Sequence, residues 1–367
     1  MAFLRLRTQP IRRIPPLFRT YTSHHYLPRD IPIEEETLPH YNPKQYYPVN
    51  IGDIYHSRYQ IIGKLGYGST STSWVCRDLR CALPFILYSD SHNREYRVYE
   101  HLANVVVEKG CLHPGSIHQC LLLQPMTMSL HDMLQLNPSK PFDLPLLKMT
   151  IKRILLALDF LHVEAGVVHT DIKPDNILLT LHDPTLLPSF AAAESTYPSP
   201  RKVVVVSSSS LNYGLPTLCD FSEARIGTVQ RDTGPFIQPS IYRAPEVIFE
   251  MDWGCSIDVW GGGGCCAHLF GEDSIFDPVT GHHDPFRHLA RMVAVIGSPP
   301  PGEFVRRSTW IAHDEAPIPS NVSLESLEWR LTGTEKEVFL GFMRDMLKWM
   351  PEERSTAGEL LGHEFLR

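Results

Sequence analysis

His169-Thr170-Asp171-Ile172-Lys173-Pro174-Asp175-Asn176 gathers a carboxylate, an ammonium and an amide into one short polar run. Before it, Leu147, Ile151, Ile154, Leu155, Leu158 and Leu161 recur at three- and four-residue spacing, the stripe of a core helix. After it comes the apolar run Ile177-Leu178-Leu179, so the polar residues sit on a loop between a helix and a strand. Asp171, Lys173 and Asn176 in that setting suit phosphoryl transfer. One carboxylate orients a hydroxyl nucleophile, a lysine neutralises the moving phosphate, and an amide oxygen binds a metal. A plain polar turn after a helix is the competing reading, and three further signals in the right order argue against it.

Leu218-Cys219-Asp220-Phe221-Ser222 offers a second carboxylate at a strand end, where it can hold Mg²⁺ against phosphates. Tyr242-Arg243-Ala244-Pro245-Glu246 follows at a distance that suits an activation segment. Near the end, Arg354 in Pro351-Glu352-Glu353-Arg354-Ser355 is expected to form a buried pair with Glu246. Asp258-Val259-Trp260 reads as a helix start whose carboxylate can hold the backbone of the His169–Asn176 loop.

Upstream, Tyr59–Leu65 and Ser73–Cys76 read as paired strands, Asn93–Leu102 as a helix and Gln119–Gln124 as a buried strand. The turn between the first two strands lies within Leu65-Gly66-Tyr67-Gly68-Ser69-Thr70-Ser71-Thr72-Ser73, where Gly66 and Gly68 let backbone approach phosphates closely. Such a pair of glycines is weak alone and counts because it opens the strand-rich region.

The 367 residues are about two domains' worth, and 43% hydrophobic against 20% charged residues is enough for a real core. A net charge of −7 argues against a general nucleic-acid or membrane binder. No apolar run reaches a membrane span. The eight cysteines include no Cys-x-x-Cys, so neither a disulfide framework nor a zinc site is suggested and a reducing, intracellular compartment is the default. Residues 1–23 carry Arg5, Arg7, Arg12, Arg13 and Arg19 and no acid, the mitochondrial transit pattern. A basic tail is the alternative, because Pro10, Pro15 and Pro16 would interrupt an amphipathic helix. Residues 24–57 read as a tether without its own core. Residues 181–217, with Pro184, Pro188, Pro198, Pro200 and the run Val203–Val206 before four serines, read as an insertion.

This order of motifs resembles the eukaryotic protein kinase family over about residues 59–367. Ile237-Gln238-Pro239-Ser240-Ile241-Tyr242-Arg243-Ala244-Pro245-Glu246, His288-Leu289-Ala290-Arg291-Met292 and Thr170 before Asp171 are similar to the SR-protein-specific serine/threonine kinases. The resemblance implies an α+β, bilobal fold. Residues 1–57 would be an N-terminal extension, 58–126 a strand-rich small lobe with its hinge, and 127–367 a helical large lobe carrying the insertion. It implies ATP and Mg²⁺ as cofactors, transfer to serine of Arg/Ser-rich protein substrates, a monomer without direct nucleic-acid contact, and residence in cytoplasm or nucleus. Carried over by residue, Asp171 is the base and Lys173 neutralises the transferred phosphate. Asn176 and Asp220 are metal ligands. Leu65, Gly66, Tyr67, Gly68, Ser69, Ser71 and Ser73 line the nucleotide. Leu123 is the gatekeeper, and Gln124 and Met126 meet adenine on either side of Pro125.

Three departures weaken that expectation. The strand lysine of the family is missing: Arg80-Cys81-Ala82-Leu83-Pro84-Phe85-Ile86-Leu87 has Pro84 in its aligned place, and no lysine occurs between Lys64 and Lys109. The helix glutamate survives as Glu95, and the strand reads as several residues short. Ser222 replaces the glycine that follows Asp-Phe, restricting the backbone there. Gly261-Gly262-Gly263-Gly264 falls inside an expected core helix at a cost of ~1 kcal/mol each against alanine, a sign of relaxed constraint or damage. A pseudokinase acting as a binding scaffold is therefore the rival reading. A small-molecule phosphotransferase would share Asp-x-x-x-x-Asn, but Ala244-Pro245-Glu246 with Arg354 argues against it.

Overall fold

The computed structural model describes residues 32, 34–39, 41–43, 46, 49–55, 57–67, 71–79, 84–90, 93–105, 119–136, 142–181, 189, 192, 214–231, 237–270, 275–276, 284–300 and 316–367. The Arg-rich residues 1–23, the run Val203–Val206, and Gly68 and Ser69 lie outside them. The chain divides into two compact units. One comprises Met1–Tyr96, Glu108–Met126 and Thr180–Gly214, the other Arg97–Val107, Thr127–Leu179 and Leu215–Arg367.

The first unit is an antiparallel five-stranded sheet in sequence order: β1 (Ile54–Tyr55), β2 (Tyr59–Tyr67), β3 (Ser71–Asp78), β4 (Pro84–Asp90) and β5 (Gln119–Leu123). Aromatic and β-branched residues suit the pleated surface, and Tyr59, Ile61, Trp74 and Cys76 form its buried cluster. Val49 and Tyr55 pack against that cluster. Tyr46 is buried beside Tyr41, ring centroids 5.4 Å apart. The 3₁₀ turn Glu34–Thr37 binds the sheet through Lys64, whose Nζ lies 2.6 Å from Glu34 Oε2 and 2.5 Å from Glu35 Oε2. The tether reading is thus corrected for the described part of 24–57: these residues add side chains to the core of the sheet.

The expected short strand is also corrected. β4 is a seven-residue strand, paired with β3 from Arg77↔Pro84 to Ser71↔Asp90 and with β5 from Ile86↔Leu123 to Asp90↔Gln119. Pro84 stands opposite Arg77, at the end of the strand away from the Gly66–Ser73 pair. Pro84-Phe85-Ile86-Leu87-Tyr88-Ser89-Asp90 contains neither Lys nor Arg, so no position on β4 itself restores the missing cation.

α1 (Asn93–Val105) follows, with Glu95 and Val98 buried. In the second unit β6 (Met126–Ser129), β8 (Ile177–Thr180) and β9 (Pro216–Leu218) form a sheet in the order β6-β8-β9. α2 (Leu130–Leu136) leads to α3 (Leu144–Asp159). Asp143 caps α3 by accepting from Leu146 N at 2.9 Å, and the expected apolar stripe is buried. A single π-helical turn, Phe160–Ala165, ends at Gly166 with φ 60°, a left-handed stop that favours glycine. β7 (Val167–Val168) then pairs with β10 (Arg225–Ile226), and β11 (Val229–Gln230) with β12 (Trp253–Gly254). Among the described residues, the further α-helices are α4 (Pro245–Ile248), α5 (Ser256–Phe270), α6 (Pro285–Ile296), α7 (Leu324–Leu327), α8 (Gly333–Met346) and α9 (Ala357–Leu361).

The four glycines sit inside an unbroken α5, and all four are buried. A Cβ on Gly264 would lie 2.7 Å from Tyr242 Cδ1, one on Gly263 2.8 Å from Leu347 Cδ2, and one on Gly261 3.3 Å from Ile172 Cβ. Only Gly262 of the four has open space there. The reading of damage is corrected: three of the glycines allow close approach by the segments that α5 supports.

The expected Glu246–Arg354 pair is present and fully buried, with Arg354 Nη1 2.5 Å from Oε1 and Nη2 2.6 Å from Oε2. Arg354 Nε also donates to Lys348 O at 2.9 Å, and the guanidinium stacks 4.8 Å from the Trp260 ring centroid. Breaking such a pair by removing one partner costs ~3–5 kcal/mol, because the other charge stays buried.

Candidate active site

Asp258, at the first turn of α5, has a carboxylate with no exposed surface and organises the loop around it. Its Oδ2 accepts from His169 N at 2.7 Å and its Oδ1 from Thr170 N at 2.7 Å, while His162 Nε2 lies 2.9 Å from Oδ2. The sequence expectation for Asp258 is met. Two buried amides on one carboxylate are charge-assisted bonds, and they hold Thr170 at φ 70°. That is a costly conformation for a β-branched residue. Thr170 Oγ1 adds a bond to Glu223 O at 2.8 Å, tying the loop to the segment after Asp220-Phe221-Ser222.

The turn throws Asp171 and Lys173 together: Lys173 Nζ donates to Asp171 Oδ2 at 2.7 Å. Asn176, on the 3₁₀ turn Pro174–Asn176, donates Nδ2 to the same Oδ2 at 2.6 Å and to Asp171 O at 2.9 Å. Among the described residues, Asp171 Oδ1 and Asn176 Oδ1 accept nothing. One oxygen of Asp171 therefore fixes the side chain, and the other is uncommitted among the described residues.

Backbone pairing brings Asp220 to this loop. β8 pairs with β9 through Ile177↔Leu218, and Cys219 N donates to Asn176 O at 2.8 Å. Asp220 itself has φ 65°. Its Oδ1 accepts from Ser222 N at 3.1 Å and Ser222 Oγ at 2.6 Å, and Oδ2 accepts nothing among the described residues. Phe221 is buried between Tyr99, 5.3 Å between centroids, and His169, 4.9 Å. Asp171, Lys173 and Asn176 thus form one side-chain network, and backbone pairing places Asp220 next to that loop in the same unit. Asn176 Oδ1 and Asp220 Oδ2 are hard oxygen donors, the chemistry Mg²⁺ takes.

The other sequence-selected residues lie on the first unit. Leu65, Gly66 and Tyr67 end β2, with Gly66 opposite Ser73 and Tyr67 opposite Thr72. The register slips between Lys64 and Gly66. Ser71 and Ser73 belong to β3. Leu123 ends β5, and exposed Gln124 and half-buried Met126 flank Pro125. Lys64, a conceivable substitute for the missing lysine, is already held by Glu34 and Glu35 and lies 5.7 Å from the Trp74 ring centroid.

Gln238 is a residue that periodicity missed. It is buried at φ 59°, donates Nε2 to Ile257 O at 2.8 Å and accepts from Ala244 N at 2.8 Å. It thereby fastens the segment before Ala244-Pro245-Glu246 to α5. A glutamine in a proline-flanked loop gives no sequence signal of that bridge.

Known proteins with related sequences match this arrangement. The protein kinase domain profile covers residues 88–366. A serine/threonine protein kinase of Aspergillus fumigatus is 37% identical over 379 residues, spanning 92% of this chain and 91% of that protein. The serine/threonine-protein kinase SRPK of Physarum polycephalum is 28% identical over 396 residues, spanning 91% of each. A crystallised kinase domain at 21% identity superposes with a TM-score of 0.64, covering 89% of this chain and 100% of that one, a likeness of fold. Among the described residues, no helix is long and apolar enough to cross a membrane. The family as a whole uses ATP with Mg²⁺ on protein substrates, and from the profile and the full-length relatives alike, the chain belongs to the protein kinase family as a serine/threonine kinase.

Proposed function

We propose that this chain transfers the terminal phosphoryl group of ATP to serine hydroxyls of Arg/Ser-rich proteins, with Asp171 as the base that orients the acceptor. The observation that carries this is the shared network of Asp171, Lys173 and Asn176, closed onto Asp220 by the β8–β9 pairing. Asp171 Oδ2 is anchored by two donors, so Oδ1 can accept the hydroxyl proton without the side chain swinging away. Lys173, whose Nζ donates to Asp171 Oδ2 at 2.7 Å, would bring its ammonium to the transferred group. Asn176 Oδ1 and Asp220 Oδ2 would hold Mg²⁺, which supplies neutralisation of phosphate charge when bound with the nucleotide. Gly66 and Gly68 with Leu65, Tyr67, Ser69, Ser71 and Ser73 would cover the phosphates. Leu123 would be the gatekeeper, and the Gln124 C=O and Met126 N–H would meet adenine on either side of Pro125, whose middle place in the hinge needs no N–H. The domain limits 58–126 and 127–367, a monomeric state, and residence in cytoplasm or nucleus belong to the same reading.

A scaffold with little turnover is the second reading. It is favoured by the cation-free β4 and by the family profile, which begins at residue 88, after the glycine turn. Losing the lysine clamp misplaces the phosphates, and ~1 Å of misplacement costs ~10²-fold. The expected activity is therefore at least ~10²-fold below the ~1–100 s⁻¹ of typical kinases. The test is radiolabelled phosphate transfer to an Arg/Ser-rich peptide, with wild type and Asp171→Asn. Slow transfer abolished by the substitution supports the kinase reading. Transfer indifferent to Asp171 removes the assignment, and none at all favours the scaffold.

A further inference from the structure

Ser222 stands where a glycine is expected, and its hydroxyl is not idle. Asp220 Oδ1 receives two donors from this one residue, the backbone N–H at 3.1 Å and Oγ at 2.6 Å. A glycine could give only the first. The second is short and charge-assisted, the stronger class of hydrogen bond. Both donors fall on Oδ1, which fixes the carboxylate rotamer and leaves Oδ2 as the uncommitted oxygen.

The surroundings keep this arrangement from relaxing. Asp220 is held at φ 65°, a conformation non-glycine residues seldom adopt. Phe221 is buried against His169 and Tyr99, and Phe221 O accepts from Ala224 N at 3.1 Å. Glu223 O is tied to Thr170 Oγ1 at 2.8 Å. Rotating Asp220 away would break the Ser222 bond as well as unpack Phe221.

We infer that Ser222 is a positioning residue that locks the Asp220 carboxylate, presenting Oδ2 alone to a divalent cation. The inference rests on the reading of Asp220 as a metal ligand and adds to it the residue that orients the ligand. It turns the loss of glycine flexibility into a gain in preorganisation.

The test uses Mn²⁺ as a paramagnetic probe. Free Mn²⁺ is followed by its electron-spin resonance signal as the full chain is titrated in the presence of ADP. Ser222→Ala, which keeps the N–H and removes the hydroxyl, should weaken Mn²⁺ binding about tenfold. Ser222→Thr, which restores a hydroxyl, should return it to near the wild-type value. Circular dichroism melts accompany each variant, and Ser222→Gly serves if the alanine variant does not fold. Wild-type affinity in Ser222→Ala, or no rescue by Thr, overturns the lock. Asp220→Asn separates the two claims. If it abolishes Mn²⁺ binding while Ser222→Ala does not weaken it, the ligand reading stands and the lock falls. If Asp220→Asn leaves binding unchanged, or the wild type holds no Mn²⁺, both fall.

Discussion

His169 is wholly buried, and its two ring nitrogens take opposite roles. Nδ1 lies 3.3 Å from Asp171 N, a donor, so it must accept; Nε2, 3.1 Å from Cys219 O, must then carry the hydrogen. That assignment follows from the hydrogen-bond network, and it requires a neutral ring. Burial pushes the His169 pKa below its usual 6.5, against the pull of the Asp258, Asp171 and Asp220 charges and the Cys219 carbonyl. The unfolded chain therefore takes up a proton that the folded chain refuses. The stabilising contribution is complete above pH 6.5 and is lost as pH falls from there toward the depressed folded pKa. Over that window the slope is at most ~1.4 kcal/mol per pH unit for one proton. His169→Gln removes the titration. In urea unfolding, the stability difference between wild type and variant should shrink between about pH 7 and about pH 5.5. A difference independent of pH would show that the ring is not held neutral.

At the scale of elements, α5 makes the sharpest test, because its four glycines do different work. Gly262 has open space where a Cβ would stand, so Gly262→Ala should stabilise the helix by ~0.5–1 kcal/mol. Gly264→Ala would bring a methyl to 2.7 Å from a Tyr242 ring carbon. That ring is held by its hydroxyl, 2.9 Å from His268 Nδ1, so the expected loss is ~1–3 kcal/mol. Gly263→Ala meets the flexible end of Leu347 and should fall between them. Urea midpoints of the three variants check the order. Equal effects would return the run to simple helix weakening. The same helix also carries Asp258 and adjoins Arg354, so it supports both the catalytic loop and the segment ending in Glu246.

For the whole molecule, nucleotide affinity is the property that tests the proposed function most directly. Without a lysine on β4, a charge-assisted contact is missing, and Mg·ATP should bind weaker than to a complete kinase by ~1.5–3 kcal/mol. Titration with a fluorescent ATP analogue, or a nucleotide-induced thermal shift, measures this. Absence of binding at millimolar nucleotide would favour the scaffold reading. Lys64 offers no rescue: the N-terminal extension occupies it through Glu34 and Glu35.

What could be read from the residues alone was whatever depends on short range and fixed spacing. The α3 stripe, the loop with Asp171, Lys173 and Asn176 and the strand end at Asp220 belong to that class, whereas the Glu246–Arg354 pair, 108 residues apart, was legible only from the order of motifs. Helical and strand periods, and a charge pattern on one turn, are local properties of the chain. Tertiary structure decided the rest. The glycines of α5 read as weakness until Tyr242, Leu347 and Ile172, distant in sequence, arrive against them. Ser222 reads as a lost glycine until the backbone of Asp220, at φ 65°, turns to bring the hydroxyl onto Asp220 Oδ1 two residues away, and Gln238, quoted only as part of the run Ile237–Glu246, shows its bridging role only once Ile257 and Ala244 flank it. The place of Pro84 depended on strand register, which pairing with β3 and β5 sets, since local sequence does not encode which residue will stand opposite. Packing density and hydrogen-bond satisfaction are properties of the neighbours that folding brings, and a linear reading cannot contain them.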